Sequence, residues 1–342
     1  MAKQRPIVIS VPAPRSLELI FTAHDVAQLR RDYLIVEGEG PAVSKVVEAN
    51  IADATFIIGQ PPLPKALLQR AKKLKAIFNV ETNFLDNMDY DHCFAHGIHV
   101  LTTGRVFAVP VAEIGLGMAL GLERNICGAD RNFRAGKELW GGEGNGESRL
   151  ISGGNIGFIG FGDLGRALHR LLAGFRATVR VFDPWLPARV LEDLGVDPVS
   201  LDDVLTKSDV IFVVASVTSD NGGFLGADEF AKMRKGTSFV LLSRAGVVDF
   251  EAMMAAVKSG HIRAASDVFP VEPLPADHPV RKLEGFILSA HRAGALDTAF
   301  KQMGKMVLDD MGLMARGLPP VTCRRAERET VRRMRSIPVS RN

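Results

Sequence analysis

Cysteine is scarce: three residues in 342, at positions 93, 127 and 323. That is too few and too scattered for a disulfide framework, so the fold has to rest on a hydrophobic core, and a reducing compartment is expected. Aromatic residues make up only 7%, and none interleaves with basic residues in the way a nucleic-acid surface requires. No apolar stretch reaches the ~20 residues of a membrane span. The longest, 106–122, is interrupted by Glu113 and reads as a buried helix. The opening MAKQRPIVISVPAP lacks the apolar centre and cleavage site of a secretory signal. Neither sign of charge dominates, with 42 basic and 39 acidic residues. The expectation is a cytoplasmic protein without nucleic-acid or membrane partners.

The composition is that of a soluble globular chain, 46% hydrophobic and 24% charged, and the length allows two domains. Short β-branched runs alternate with amphipathic stretches, the pattern of βαβ units and parallel sheets. Strands are expected at 6–11, 55–59, 76–80, 98–101, 156–160, 178–183, 210–215, 238–243, 264–268 and 286–290. Helices are expected around 24–31, 42–49, 64–73, 107–123, 163–175, 201–206, 226–233, 249–258 and 296–315. Ser200 with Asp203 marks a helix start. The stretch 134–155, with seven glycines, reads as a long surface loop, after which a fresh βαβ series begins.

That series carries the strongest signal, NIGFIGFGDLGRALHRLLAGFRATVRVFDP at 155–184. Gly160, Gly162 and Gly165 form GxGxxG directly after an apolar strand, with Asp163 and Leu164 opening the helix, and Asp183 ends the next strand. The first glycine permits the tight turn, the second lets backbone approach a pyrophosphate, and the third lets helix and strand pack closely. The helix N-terminus offers free amides and partial positive charge to phosphates. A carboxylate at Asp183 suits two ribose hydroxyls and repels a 2′-phosphate. At ~4 Å and an effective dielectric near 20 the repulsion is about 4 kcal/mol per unit charge, which favours NAD over NADP.

Downstream lie SRAGVVD (243–249), SDVFPVEPLP (266–275) and SAHRAGA (289–295). With the glycine-rich turn they resemble the D-isomer-specific 2-hydroxyacid dehydrogenases over about residues 50–316. The resemblance implies an active site of Arg244, Glu272 and His291, with Ser243, Asp267 and Thr218 beside the cofactor. The residue types suit that chemistry. A guanidinium fork holds a carboxylate bidentately and polarises the adjacent carbonyl. A histidine supplies the proton as hydride arrives, and a glutamate beside it stabilises the imidazolium. The resemblance also implies two α/β domains with doubly wound parallel sheets. A Rossmann NAD domain, 105–292, is inserted into a flavodoxin-like substrate (lid) domain, 1–104 with 293–342, and the site lies at the interdomain cleft. Departures from the family pattern are Ser216, Leu241, Ala245 and Ala290; the three active-site residues are intact. Where the family has a glycine-rich carboxylate-binding loop, this chain has NVETNFLDNMDYD (79–91). Thr82 and Asn83 are the candidate substrate contacts there, with Phe84 and Leu85 as pocket wall. Glu272, in place of glutamine, argues against formate dehydrogenase.

Singly, Arg244, Glu272 and His291 each have an ordinary reading: a surface ion pair, a loop acid, a buried histidine. An NAD-binding homologue that acts by protein interaction, like the corepressors that resemble this family, would keep the same residues. His278 is the rival histidine, and His92, Cys93, His96 and His99 form a cluster that is not expected to bind metal. The helix 107–123, with Gly115, Gly117 and Gly121, resembles the family's dimer helix and implies a homodimer. Beyond Pro319 an arginine-rich tail outruns the family. It is expected either to be a solvated terminus or to fold over a partner subunit or the cleft.

Overall fold

The computed structural model describes residues 5–81, 84–218, 221–331 and 335–336. The chain forms two compact units, Met1–Phe107 with Ala295–Asn342, and Ala108–Gly294.

The first unit contains β1 (Ile7–Val11), β2 (Leu34–Glu37), β3 (Ala54–Gly59), β4 (Ala76–Asn79), β5 (Phe84–Leu85) and β6 (His99–Thr102). In the second are β7 (Asn155–Ile159), β8 (Thr178–Phe182), β9 (Asp197–Pro198), β10 (Val210–Val213), β11 (Thr237–Leu241), β12 (Ile262–Ser266) and β13 (Phe286–Leu288). The chain then returns to the first unit with β14 (Arg324–Arg325) and β15 (Arg335–Ser336).

The second unit's sheet runs β13-β12-β11-β10-β7-β8-β9, all parallel. Strand order reverses between β7 and β10, so the crossovers diverge there, the point where doubly wound sheets bind ligands outside their carboxyl ends. Central strands such as VIFV of β10 and TSFVL of β11 are buried throughout, because helices cover both faces. The first unit's sheet, β14-β6-β4-β3-β1-β2, is parallel except for β14, which lies antiparallel on β6.

The helix start expected at Ser200 is present, its hydroxyl accepting from the Asp203 amide at 3.1 Å. The stretch 135–154 holds neither strand nor α-helix, only the 3-10 turn Gly141–Asn145. Several short elements were not expected from the sequence, and two of them show why. β2 is an outer strand with no fully buried residue, and the helix Ile126–Arg134 buries none of its side chains.

The segment Gly104–Glu123 is long and apolar enough to cross a membrane, yet the helix Ala108–Glu123 within it packs on the helix Asp163–Leu172 and on β11 and β12. Two of its glycines serve that packing. A Cβ at Gly115 would collide with Leu242, and one at Gly121 would come within 2.9 Å of Ile287; only Gly117 faces open space. The helix ends in the buried Glu123, whose Oε1 accepts from Arg149 at 3.0 Å, Arg263 at 2.9 Å and Ser238 at 2.6 Å. Burial is the largest influence on Arg263 and lowers its pKa, which Glu123 opposes.

The arginine-rich tail is not a frayed end as far as Val331. Cys323, Ala326 and Val331 are buried, the last two in one apolar cluster of the first unit.

Candidate active site

The residues singled out in the second unit cluster at the carboxyl edge of its sheet. After β7, Gly160 takes φ +86°, and a Cβ there would sit 2.6 Å from Ala215 Cα, so both conformation and space demand glycine. Gly162 precedes the helix Asp163–Leu172, where no side chain caps the first turn. A Cβ on Gly162 would meet nothing within 4 Å, so the backbone is open to an approaching group. Gly165 lets the helix close in, its missing Cβ lying 3.1 Å from the Phe161 ring. Leu164 is half-buried in the first turn.

Asp183 is locked to this turn. Its Oδ2 accepts from the Phe161 amide at 2.7 Å and its Oδ1 from the Trp185 amide at 2.9 Å. A carboxylate offers about four acceptor positions, so each oxygen retains capacity for a ribose hydroxyl. An open cavity of about 450 Å³ adjoins it, walled by Leu186, Leu191, Val199 and Asp203 among others. Beyond β10, the Thr218 amide donates to Asn221 Oδ1 at 2.7 Å, and Asn221 Nδ2 to Ser216 O at 2.8 Å. Asn221 thus braces that loop, a role no motif announced. After β11, the Ser243 hydroxyl is buried without a hydrogen-bond partner. An uncapped helix start, an open backbone at Gly162 and an orphaned hydroxyl together fit a bound dinucleotide.

Arg244 follows Ser243 directly, half-buried, with Nη1 donating to the Ser243 carbonyl at 2.7 Å. Glu272 and His291, on the loops after β12 and β13, meet: Nδ1 of the imidazole lies 2.6 Å from Glu272 Oε2. The other carboxylate oxygen accepts from the Phe269 amide at 2.8 Å. Glu272 is therefore aimed, and His291 directs its Nε2 to the remaining side. His291 takes the left-handed conformation, φ +48°, uncommon for a side chain of its shape.

What holds it there is Asp267, 2% exposed. Its backbone carbonyl accepts from the His291 amide at 2.7 Å. Its Oδ1 accepts from Ser289 Oγ at 2.5 Å and Arg292 N at 3.1 Å, and its Oδ2 from Ala293 N at 3.1 Å. Sequence reasoning placed Asp267 beside the cofactor and missed this second grip; Ser289, two residues before the histidine, was the available clue.

The rival histidine is engaged elsewhere: His278 Nδ1 accepts from the Val280 amide at 3.3 Å and caps a short 3-10 helix. In the first unit, the rings of His92 and His96 stack at 3.9 Å, and among the described residues no three ligand-type side chains are placed to hold a metal. Burial pushes the Cys93 thiol up to about 12. Thr82 and Asn83 lie outside the described residues. Phe84 and Leu85, expected in a pocket wall, are buried in the unit's core instead, Phe84 edge-on to Tyr90.

The family model for the NAD binding domain of D-isomer specific 2-hydroxyacid dehydrogenase matches residues 116–293. A phosphoglycerate oxidoreductase from Rhizobium etli, known as a crystal structure, is 62% identical. The match covers 96% of this chain and all of that one, with a TM-score of 0.88. A glyoxylate reductase of Korarchaeum cryptofilum is 28% identical over 289 residues, 82% of this chain and 86% of that protein. A D-3-phosphoglycerate dehydrogenase of Mycobacterium leprae is 31% identical over 282 residues, 82% of this chain but 52% of its own length. The chain thus spans about half the length of the D-3-phosphoglycerate dehydrogenases it matches.

Proposed function

The chain belongs to the D-isomer specific 2-hydroxyacid dehydrogenases, whose NAD-binding domain it contains, and on that premise we propose that it interconverts a 2-oxo acid and a D-2-hydroxy acid. The observation that carries this is the Glu272–His291 pair at 2.6 Å, set on the same sheet edge as the glycine-rich turn.

NADH, when bound, supplies the hydride that reaches the 2-oxo carbon. The backbone at Gly162, Asp163 and Leu164 would receive its phosphates on the turn that Gly160 and Gly165 shape, Asp183 would hold the ribose, and Thr218, Ser243 and Asp267 would flank the rest. The Arg244 guanidinium receives the substrate carboxylate as a fork and draws electron density from the adjacent carbonyl. His291, protonated and steadied by Glu272 on Nδ1, gives a proton from Nε2 to the carbonyl oxygen, leaving a hydroxyl. In the oxidative direction the neutral imidazole takes that proton back. Thr82 and Asn83, which lie outside the described residues, stay the candidate substrate contacts that this reading carries forward.

The test is NADH oxidation with glyoxylate, hydroxypyruvate, 3-phosphooxypyruvate and sugar-derived 2-oxo acids, with His291→Ala as control. Glyoxylate and 3-phosphooxypyruvate follow from the names of the relatives, and hydroxypyruvate is the latter without its phosphate. Turnover on at least one of them, lost in the variant, is the expected result. NADH binding without turnover on any overturns it.

Asp267 supports the proton donor from beneath. In Asp267→Asn the side-chain amide cannot accept from both the Arg292 and Ala293 amides, so the His291 loop loosens. The kcat is expected to fall roughly ten- to hundredfold, as for a lost charge-assisted hydrogen bond or a misplaced catalytic group. The KM for NADH should hold if Asp267 acts through His291. A raised NADH KM with unchanged kcat would return Asp267 to a cofactor role alone.

The assembly we propose is a homodimer, supported by apolar side chains on 126–150. Ile126 is 55%, Phe133 61% and Trp140 74% exposed, with the last two rings in edge contact. Singly exposed apolar residues are ordinary, but several along one stretch mark an interaction surface. Sedimentation velocity is expected to return a dimer for the wild-type chain and a monomer for Phe133→Glu combined with Trp140→Glu; a monomeric wild-type chain overturns the assignment.

A further inference from the structure

The parallel neighbours β12 and β13 leave the sheet side by side, and the loops that follow them are joined through one buried carboxylate. Ser289 is the first residue past β13, and its amide donates at 3.0 Å to the carbonyl of Ser266, the last residue of β12. Its hydroxyl donates to Asp267 Oδ1 at 2.5 Å. The chain then wraps Asp267. The His291 amide donates to its carbonyl at 2.7 Å, the Arg292 amide to Oδ1 and the Ala293 amide to Oδ2, these two at 3.1 Å. Asp267 itself sits on a braced turn, because Ser266 Oγ donates to the Val268 carbonyl at 2.7 Å and accepts from the Val268 amide at 3.3 Å. Ser266, Asp267 and Val268 are all buried.

Inside this wrap His291 takes φ +48°. A residue other than glycine keeps that conformation only where its surroundings over-determine it. Neither neighbour, Ala290 or Arg292, fixes a dihedral as a proline would, so the donors around Asp267 have to do it. Four groups of this segment donate to Asp267, and three of them are amides. Every residue but proline carries an amide, so a side-chain substitution leaves those three in place. The fourth is the Ser289 hydroxyl, which a substitution removes. It is also the shortest of the four, and a hydroxyl donating to a carboxylate is a charge-assisted bond, stronger than a neutral one. It shares Oδ1 with the amide of Arg292, the residue directly after the histidine. Without it nothing in a side chain keeps that oxygen turned toward the histidine loop.

We propose that Ser289 is a positioning residue for the proton donor: its hydroxyl orients the Asp267 carboxylate, which holds residues 291–293 so that the His291 imidazole meets Glu272 at 2.6 Å. This rests on the dehydrogenase reading and on His291 as the donor. Ser289 acts through Asp267 and the backbone and transfers no proton itself. What matters is its oxygen, so a larger side chain that keeps the hydroxyl should serve, and one of the same shape without it should not.

The test compares Ser289→Thr, Ser289→Val and Ser289→Ala with the wild-type chain, using NADH and the 2-oxo acid it reduces fastest. In Ser289→Val and Ser289→Ala kcat is expected to fall roughly tenfold or more, the lower end of the scale for a lost hydrogen bond to a charged group. The KM for NADH and for the acid should stay within about twofold, as for a group that acts on the chemical step alone. Ser289→Thr should keep most of kcat. Ser289→Thr and Ser289→Val add the same methyl group, so a difference between them belongs to the hydroxyl. Added to Asp267→Asn, Ser289→Ala should lower kcat by no more than about twofold further, because both changes act through one carboxylate. Imidazole nitrogen NMR of the chain without NADH, with His291 assigned by its loss in His291→Ala, reads the position independently of turnover. The hydrogen-bonded Nδ1 signal is expected in the wild type and in Ser289→Thr, and absent in Ser289→Val. Equal kcat for Ser289→Thr and Ser289→Val, a change confined to the KM for NADH, or an unaltered Nδ1 signal in Ser289→Val overturns the proposal while leaving the dehydrogenase reading standing. No turnover of any acid by the wild-type chain overturns both.

Discussion

His291→Ala is expected to lower kcat by ~10² to 10⁴, the usual contribution of a positioned general acid or base, while NADH affinity stays within about twofold. The size follows from the geometry. Glu272 contacts Nδ1 at 2.6 Å and is itself aimed by the Phe269 amide, so the pair is a prepared proton donor rather than a histidine at large. Removing the imidazole leaves the developing alkoxide without its proton, and water has to supply it from a site the protein does not orient. Arg244 and the nucleotide-binding turn are untouched by the change, so binding survives where turnover does not. Steady-state kinetics on the best 2-oxo acid, together with NADH fluorescence titration, check this. A variant retaining more than about a tenth of wild-type kcat would sink the assignment of His291 as the proton donor, with His278 next to be examined. That outcome is not expected, because His278 Nδ1 is committed to capping the Val280 amide.

The glycine-rich turn was legible because two of its glycines answer separate steric demands within six residues, and such demands write themselves into sequence. Gly160 needs positive φ, and Gly165 needs the absence of a Cβ against Phe161. The buried parallel strands were legible for a similar reason, since burial on both faces leaves continuous apolar runs. Interactions that join distant segments through backbone atoms left no such mark. The hold of Asp267 on residues 289–293 uses three amides, which any residue supplies, and one serine. The hold of the buried Asp310 on the tail uses three amides, those of Val321, Thr322 and Cys323, and so depends on no particular partner side chain. For that reason the tail read as a charged terminus although it is anchored as far as Val331. The glycines of the helix Ala108–Glu123 were visible as small residues, but nothing in sequence named Leu242 and Ile287 as the side chains that Gly115 and Gly121 admit.

Asp183→Asn is expected to erase most of the discrimination between NADH and NADPH, which in the wild type should amount to about a thousandfold in kcat/KM. Asp183 stands at the carboxyl end of β8, where its oxygens are fixed by the Phe161 and Trp185 amides. A carboxylate so fixed cannot swing away from a 2′-phosphate, and it faces that phosphate with like charge. At ~4 Å and an effective dielectric near 20 the repulsion is about 4 kcal/mol per unit charge. Asparagine removes the charge with little change of shape. It keeps one oxygen, so only one of the two amide contacts survives, and the turn loses about 0.5 to 1.5 kcal/mol of support. The two effects have different signatures. Loss of repulsion raises kcat/KM with NADPH, whereas the lost amide contact lowers kcat/KM with both cofactors alike. The ratio of the two efficiencies therefore isolates the electrostatic part, and it should fall by two to three orders of magnitude on this argument. If the ratio does not move when the charge is removed, selectivity against NADPH resides elsewhere, and the carboxylate serves chiefly to brace the glycine-rich turn.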